Sequence, residues 1–577
     1  MKVFRIVFFA LVFACGETSY AGGAQHPVHA EHGMVASVQE LASDAGVEMM
    51  RAGGNAIDAA VATGFALAVV YPEAGNLGGG GFMLVRLHDG TVHFLDFRET
   101  APGKATATMY QDAHGKVIPG LSRIGYLASG VPGTVKGLVE AERRFGKLGL
   151  ERVMAPAIGF ARDGFHLSWG EARSLTGDRG LPQFADSRRI FQNDGKGWKQ
   201  GDLFKQPILA RTLERIAARP DDFYTGDMAR EIASQMQRGG GLITARDLAQ
   251  YRVVDRSPVR GSYRDLTVIS APPPSSGGVA LIEALNILEG FDLGAAGRDS
   301  AQSMHLIAEA YRRAFFDRAQ FLGDPQAVGV PIDQLLDKRY AAEWRRSIAP
   351  ERASSNESLE RPSLFPDLNK YAAQHPIRAR PQESGNTTHY SVVDAQGNAV
   401  AVTTTLNSYF GSRVTIGALG FLMNDEMDDF AAKVGVANMF GLVQGDANAI
   451  APGKRPLSSM TPTIVLKQGK LWLVLGSPGG PTIITTVANI LLGTEDYGLD
   501  IQEAVDAPRF HQQWQPDQLF LEPDRFSPDT VQLLEKMGYR MIERDHGDGE
   551  CIAIDLQTGE RLGASDFRNE TGMAVGY

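Results

Sequence analysis

Asn386-Thr387-Thr388-His389-Tyr390-Ser391 lies about two-thirds of the way along a chain of 577 residues, behind a polar, Pro-containing segment, Arg378 to Gly385. It opens a β-branched and aromatic run, Thr387 to Val393, which predicts a strand. Asp394-Ala395-Gln396-Gly397-Asn398 supplies turn residues, and Ala399 to Leu406 predicts the returning strand. A Thr at the head of a buried strand suits a hydrolase that cuts its own chain before the nucleophile. Cleavage before Thr387 would leave a hydroxyl and a free α-amine on one residue. A Thr hydroxyl is a poor nucleophile until a base activates it, and the terminal amine can be that base. The unperturbed α-amine has a pKa of roughly 7.7–8.0, so a useful fraction is neutral near pH 7. The same residues also suit an ordinary Thr-rich edge hairpin, and this stretch alone does not separate the two.

Composition sets the frame. The chain is 43% hydrophobic and 21% charged, which is globular and ample for a large core. No low-complexity linker or internal repeat divides it. The net charge is −10 and dispersed, with no basic patch interleaved with aromatics, so nucleic acid is not an expected partner. Lys2 and Arg5, the apolar run Ile6 to Ala14 and the small-x-small site Ser19-Tyr20-Ala21 read as a secretory signal over residues 1–21. The run is too short for a stable membrane span. Val12-Phe13-Ala14-Cys15 offers a lipoprotein site as an alternative, which Phe13 fits poorly. After cleavage at Ala21 only Cys551 remains, and a lone Cys is expected to be buried rather than reactive.

Residues 38–71, 134–163, 205–218, 226–238, 246–250 and 299–321 read as helices. Phe82 to Arg86 and Thr91 to Asp96 read as a hairpin about Asp89-Gly90. Ala271-Pro272-Pro273-Pro274-Ser275-Ser276-Gly277-Gly278 reads as a rigid loop leading into a helix at 279–289. Leu471 to Leu475 reads as a strand, and Ile483 to Leu492 as a helix after Gly479-Gly480. Strand pairs with helices before and after them predict an α+β fold, sheet on sheet, covered by helices.

Nine sequence words in order resemble the γ-glutamyltranspeptidases, from about His32 to Tyr577. They are Glu31 to Ser37, Gly53 to Ala60, Gly78 to Met83, Asp96 to Glu99, Gly130 to Thr134, the Thr387 segment, Met427 to Phe430, Arg455 to Met460, and Gly476 to Gly480. The resemblance implies a four-layer αββα sandwich of the N-terminal-nucleophile hydrolases. It implies a precursor cut between Asn386 and Thr387 into a large subunit, 22–386, and a small subunit, 387–577, which form one heterodimer. It implies a periplasmic enzyme that needs no cofactor. Its substrates would be glutathione or other γ-glutamyl compounds, with water or the amine of an amino acid or peptide as acceptor.

Acyl transfer needs a nucleophile, a base, oxyanion donors and a pocket that fixes the substrate. Gly479 and Gly480 sit in a strand-to-helix loop, where backbone N–H groups can meet an anion. The resemblance makes them the oxyanion hole; a tight turn is the plainer reading. A γ-glutamyl group carries an α-carboxylate and an α-ammonium, so its pocket needs a cation at one point and anions at another. Arg98 can grip a carboxylate through two parallel N–H bonds. The resemblance gives it that role with Ser458 and Ser459, and assigns Asn407, Glu426 and Asp429 to the ammonium. It puts Thr405 within reach of Thr387, although plain β-propensity also explains a Thr there. Family members carry either Glu or Gln at the position of Glu426. Val434 to Gly445 resembles a lid loop, with Phe440 where related lids carry Tyr, which puts a lid hydrogen bond to Asn407 in doubt.

Three rival readings are weaker. Neither Gly476 to Gly480 nor Gly78 to Gly81 fits a nucleotide-binding pattern. His26, His29 and His32 match no closed zinc spacing, and Pro27 breaks any helix that would align them, so no metal site is expected. A cephalosporin acylase would use the same nucleophile on a glutaryl amide lacking the α-amine, and Asp429 argues against it. The primary expectation is cleavage before Thr387. Mass spectrometry of purified protein should give two chains, one ending at Asn386 and one beginning at Thr387. Thr387→Ala should remain one inactive chain, and Thr387→Ser should still cut, more slowly. An active, uncut chain would overturn the reading.

Overall fold

Asn386–Val393 and Ala399–Asn407 form an antiparallel hairpin at the centre of a seven-stranded sheet. The computed structural model describes residues 26–375, 377 and 386–577. The secretory-signal reading at 1–21, the Cys15 alternative and the segment Arg378 to Gly385 lie outside the described residues. Across the first sheet the strands run Met573–Gly576, Met34–Ser37, Asn386–Val393, Ala399–Asn407, Gly80–Arg86, Val92–Phe97 and Val254–Arg256, all antiparallel. A second seven-stranded antiparallel sheet runs Val28–Ala30, Arg561–Ser565, Glu550–Ile554, Lys470–Leu475, Thr463–Lys467, Leu266–Ser270 and Val259–Tyr263.

Side-chain alternation shows how the sheets stack. Val393, Ala399 and Ala401 of the first sheet share one cluster with Ile269, Ile464, Val474 and Ile552 of the second. Their sequence neighbours Val392, Val400 and Val402 face outward, into a cluster with the helices Glu40–Arg51, Ala56–Val70 and Thr134–Phe145. On the far side, Val268, Val465 and Leu473 pack against Gly277–Leu288, Ala301–Phe321 and Thr482–Glu495. Period-two alternation with both faces covered requires helix, sheet, sheet, helix. The αββα expectation therefore holds.

Two expected helices divide. The run at 38–71 breaks into Glu40–Arg51 and Ala56–Val70, because Gly53 takes a φ of +94° and Asn55 caps the second helix in a reciprocal box with Asp58. The run at 134–163 breaks into Thr134–Phe145 and Leu150–Asp163 at Gly146 and at Gly149, whose φ is +82°. All residues of Ala56–Val70 are buried. A Cβ on its Gly64 would come within 2.5 Å of the Tyr390 hydroxyl, so the small residue is what lets the helix lie on the nucleophile strand. Among the described residues no helix is long and apolar enough to cross a membrane. Cys551 is buried, which pushes its thiol up to about 12.

Polar contacts tie the two sheets together just below Thr387. Ser391 Oγ donates across the gap to the Glu550 carbonyl at 2.8 Å. The buried His389 ring meets Thr403 Oγ1 at 2.8 Å and Ser391 Oγ at 3.2 Å, and lies flush on Gly476. Burial pushes His389 down to about 3. The folded chain refuses a proton that the unfolded chain takes near pH 6.5. The neutral ring's contribution is therefore complete above pH 6.5 and is lost as pH falls toward 3. In a Thr387→Ala background, His389→Asn should remove about 1.4 kcal/mol of acid sensitivity per pH unit inside that window. Denaturant titrations of both proteins from about pH 7 to pH 4 test this; parallel stability curves would mean that His389 takes its proton equally well folded and unfolded.

Candidate active site

Thr387 enters the hairpin just past a register shift: Asn386 faces Asn407, but Thr387 faces Thr405. That extra residue on the partner strand bends the strand end and aims its side chains, as bulges beside functional sites do. Thr387 Oγ1 lies 3.3 Å from Thr405 Oγ1, and Asn407 N–H donates to Thr405 Oγ1 at 2.8 Å. Asn407 has a φ of +81°, a left-handed conformation that Asn tolerates, and its Nδ2 donates to the Asp425 carbonyl at 3.0 Å.

The glycine run Gly78 to Gly81 is a packing device. A Cβ on Gly79 would lie 2.0 Å from the Thr405 carbonyl, and one on Gly81 2.4 Å from the Thr403 carbonyl. Absence of side chains lets this edge press directly against the strand that carries Thr405.

Gly479 and Gly480 have φ values of +126° and +60° and lead through Pro481 into Thr482–Glu495. Among the described residues their N–H groups donate to no protein acceptor, and Gly480 lines the same cavity as Thr387. Gly479 stands behind it, outside the lining. A Cβ on Gly480 would strike the Phe440 ring at 2.5 Å, so Phe440 closes directly over this loop.

Arg98 follows the strand Val92–Phe97 and is fully buried. Nη1 donates to Glu426 and Nη2 to Asp429, while Nε donates to the Pro456 carbonyl at 3.3 Å. Glu99 Oε2 lies 3.6 Å from Nη1. Burial works against the guanidinium charge, but Glu426, Asp429 and Glu99 more than offset it and hold Arg98 protonated. Burial raises all three carboxyls, Glu99 to about 7, and Arg98 opposes the rise. The predicted cation and the predicted anions are thus partners of one another.

Ser458 and Ser459 are held by the Pro-rich loop. Ser276 donates twice to the Ser458 carbonyl, from N–H at 2.8 Å and from Oγ at 2.6 Å. Ser459 Oγ accepts from Arg318 Nη2 at 3.0 Å. Arg98, Thr387, Thr405, Asn407, Glu426, Asp429, Ser458, Ser459 and Gly480 all line one cavity of about 310 Å³.

Sequence reasoning missed Arg318 and the lid's true latch. Arg318 lies on Ala301–Phe321 among other buried charges, and no spacing marks it as different from Arg312 or Arg313. The lid touches Asn407 through Met439, whose Sδ lies 3.6 Å from Asn407 Nδ2. Asn438 Nδ2 reaches Asp429 Oδ1 at 3.4 Å. Phe440 replaces a hydrogen bond with ring contact on Gly480, and the loop is anchored on both sides of it.

A sequence profile of the family described as gamma-glutamyltranspeptidase matches residues 42–576. The chain is 49% identical over 559 residues to the glutathione hydrolase proenzyme of Escherichia coli (strain K12), covering 96% of this chain and 93% of that protein. It is 46% identical over 593 aligned positions to the glutathione hydrolase proenzyme of Pseudomonas sp. (strain A14), covering 100% of both. The crystal structure of cephalosporin acylase from Bacillus halodurans superposes with a TM-score of 0.82 at 27% identity, covering 98% of this chain and 99% of that one. With Thr387, paired cations and anions and a glycine turn around one cavity, and with a family match over nearly its whole length, the chain belongs to the gamma-glutamyltranspeptidase family.

Proposed function

We propose that this protein is a γ-glutamyltranspeptidase and glutathione hydrolase that matures by cutting itself before Thr387. The observation that carries the reading is one cavity lined by Thr387 together with Arg98, Arg318, Glu426 and Asp429, which suits a γ-glutamyl group with its α-carboxylate and α-ammonium. In the precursor, the Thr387 hydroxyl attacks the Asn386 carbonyl carbon. The amide C–N bond breaks, the nitrogen takes the hydroxyl's proton, and water hydrolyses the resulting ester. Residues 22–386 and 387–577 then form the two subunits, and the family's proenzyme relatives support this processing. The leader at 1–21 supports a periplasmic protein.

In the mature enzyme the freed α-amine of Thr387 takes the hydroxyl proton as Oγ1 attacks the γ-amide carbon. Negative charge builds on the carbonyl oxygen, and the unspent N–H groups of Gly479 and Gly480 are the donors suited to it. The amine product leaves with the proton, cysteinylglycine in the case of glutathione. Water or an acceptor amine then attacks the γ-glutamyl-Thr387 ester. Arg98, Ser458 and Ser459 serve the α-carboxylate. Asn407, Glu426 and Asp429 serve the α-ammonium, and Thr405 orients Thr387. Cephalosporin acylase is the second reading, favoured by the superposed acylase structure. A glutaryl group brings no ammonium, so it would leave the Glu426–Asp429 end short of a positive partner.

Two experiments test this. Arg98→Lys keeps the charge and loses the planar fork, so kcat/KM for γ-glutamyl substrates should fall at least about tenfold, roughly 1.4 kcal/mol, with cleavage before Thr387 preserved. Wild-type kinetics in that variant would remove Arg98 from the site. Asp429→Asn removes one anion and keeps the shape. It should lower turnover of γ-glutamyl-p-nitroanilide and raise that of glutaryl-p-nitroanilide: a substrate carboxylate that draws Arg98 away from Asp429 leaves a buried carboxylate short of its cation, at about 2–5 kcal/mol, unless an ammonium replaces it. An unchanged ratio of the two kcat/KM values would show that Asp429 does not read the α-amine.

A further inference from the structure

Two side chains lining the Thr387 cavity each hold a buried polar atom with no hydrogen-bond partner among the described residues. One is Arg318 Nη1, a donor on a cation. The other is Glu426 Oε2, an oxygen of the carboxyl that meets Arg98. A buried donor or acceptor left unmade is costly, so a pair of opposite character in one cavity marks what the ligand must supply. The complement is a molecule with one negative and one positive group.

The two arginines differ in what they have left. All three side-chain nitrogens of Arg98 donate to protein acceptors: the Glu426 and Asp429 carboxylates and the Pro456 and Leu457 carbonyls. A substrate carboxylate has to compete with those partners for it. Arg318 is 1% exposed; its Nε donates to Ser276 Oγ at 2.8 Å and its Nη2 to Ser459 Oγ at 3.0 Å. Nη1 remains. Burial pushes Arg318 down to about 10, with Asp429 opposing, so it is charged at neutral pH.

Arg318 also sets the polarity of both serines. Guanidinium donates only, so each serine oxygen that meets it must accept. Ser276 then spends its own proton on the Ser458 carbonyl at 2.6 Å. Ser459 has no such internal acceptor among the described residues, and it lines the cavity. Its O–H is thereby kept as a donor for a ligand. Around the cavity the guanidiniums of Arg98 and Arg318 stand with the carboxyls of Glu426 and Asp429, both of which burial raises.

We propose that Arg318 is a second reader of the substrate's α-carboxylate beside Arg98, acting directly through Nη1 and indirectly by holding Ser459 as a hydroxyl donor. The inference rests on the γ-glutamyl reading of the site and assigns a specificity role to a residue outside its nine sequence words.

The test uses the processed wild-type enzyme and its variants with three competitive inhibitors. L-Glutamate carries both recognition groups, glutarate lacks the α-amine, and 4-aminobutanoate lacks the α-carboxylate. Arg318→Lys should raise the inhibition constants of L-glutamate and glutarate at least about tenfold, and that of 4-aminobutanoate by less than about twofold. Arg318→Met should give larger losses in the same order. Ser459→Ala should show the same selective pattern, and its loss should not add to that of Arg318→Lys, because the two act through one contact. Equal losses for all three inhibitors, or none, would overturn the proposal. If the Arg318 variants fail to mature, the Ser459→Ala pattern decides by the same criterion: a loss confined to the carboxylate-bearing inhibitors supports it, and a uniform loss overturns it. Failure of the γ-glutamyl reading itself looks different: wild-type enzyme would then ignore L-glutamate and leave γ-glutamyl-p-nitroanilide intact.

Discussion

The register of the central hairpin is the constraint on which the site depends. Strand side chains alternate, so a one-residue slip of Asn386–Val393 would turn Thr387 toward the helices and bring Thr388 to the cavity. Several contacts forbid that slip. His389 is fixed against Thr403 on the neighbouring strand and against Gly476 on the opposing sheet. Ser391 bonds to the carbonyl of Glu550, also on the opposing sheet. Tyr390 lies under the one helical glycine that admits it. The nucleophile is therefore placed by contacts several residues away from it, in the most thoroughly covered part of the molecule.

Around that fixed point the fold buries charge. A buried ion pair gains little net stability over an apolar core, and breaking one is expensive. Arg98, Glu426, Asp429 and Glu99 are all nearly or fully inaccessible. Such a cluster makes physical sense when its function is to meet a ligand with charges of its own. Asp429 touches Arg98, and Asn438 of the lid reaches the other oxygen of Asp429. One carboxylate thus joins the buried charge cluster to the loop Val434 to Gly445.

The same scaffold carries more than one chemistry among its relatives. That is expected where a fold supplies the nucleophile and the oxyanion loop, and separate side chains choose the acyl group. Thr387, the Gly479–Gly480 turn and the paired sheets belong to the scaffold. In the proposed reading, Asp429, Glu426, Arg318 and Ser459 belong to the choice.

The sequence by itself determined the strand that begins at Asn386, the glycine turn before Thr482–Glu495, and the charged residues that gather around one cavity. These are local properties: β-branched alternation, backbone freedom at glycine, and charge placed beside recognisable words. It also foretold the layered α+β architecture, because strand and helix periods are written in the chain. It did not separate the helices at Gly53 and Gly149 cleanly, since a helical run and two antiparallel helices share one composition. Only the tertiary structure decided that Arg98 spends its donors on Glu426 and Asp429, that Met439 rather than Phe440 meets Asn407, and that Arg318 enters the cavity from a helix otherwise filled with structural arginines. Those facts depend on distances between residues tens to hundreds of positions apart, and on which polar atoms remain unpaired after packing. Neither quantity exists until the chain has closed on itself.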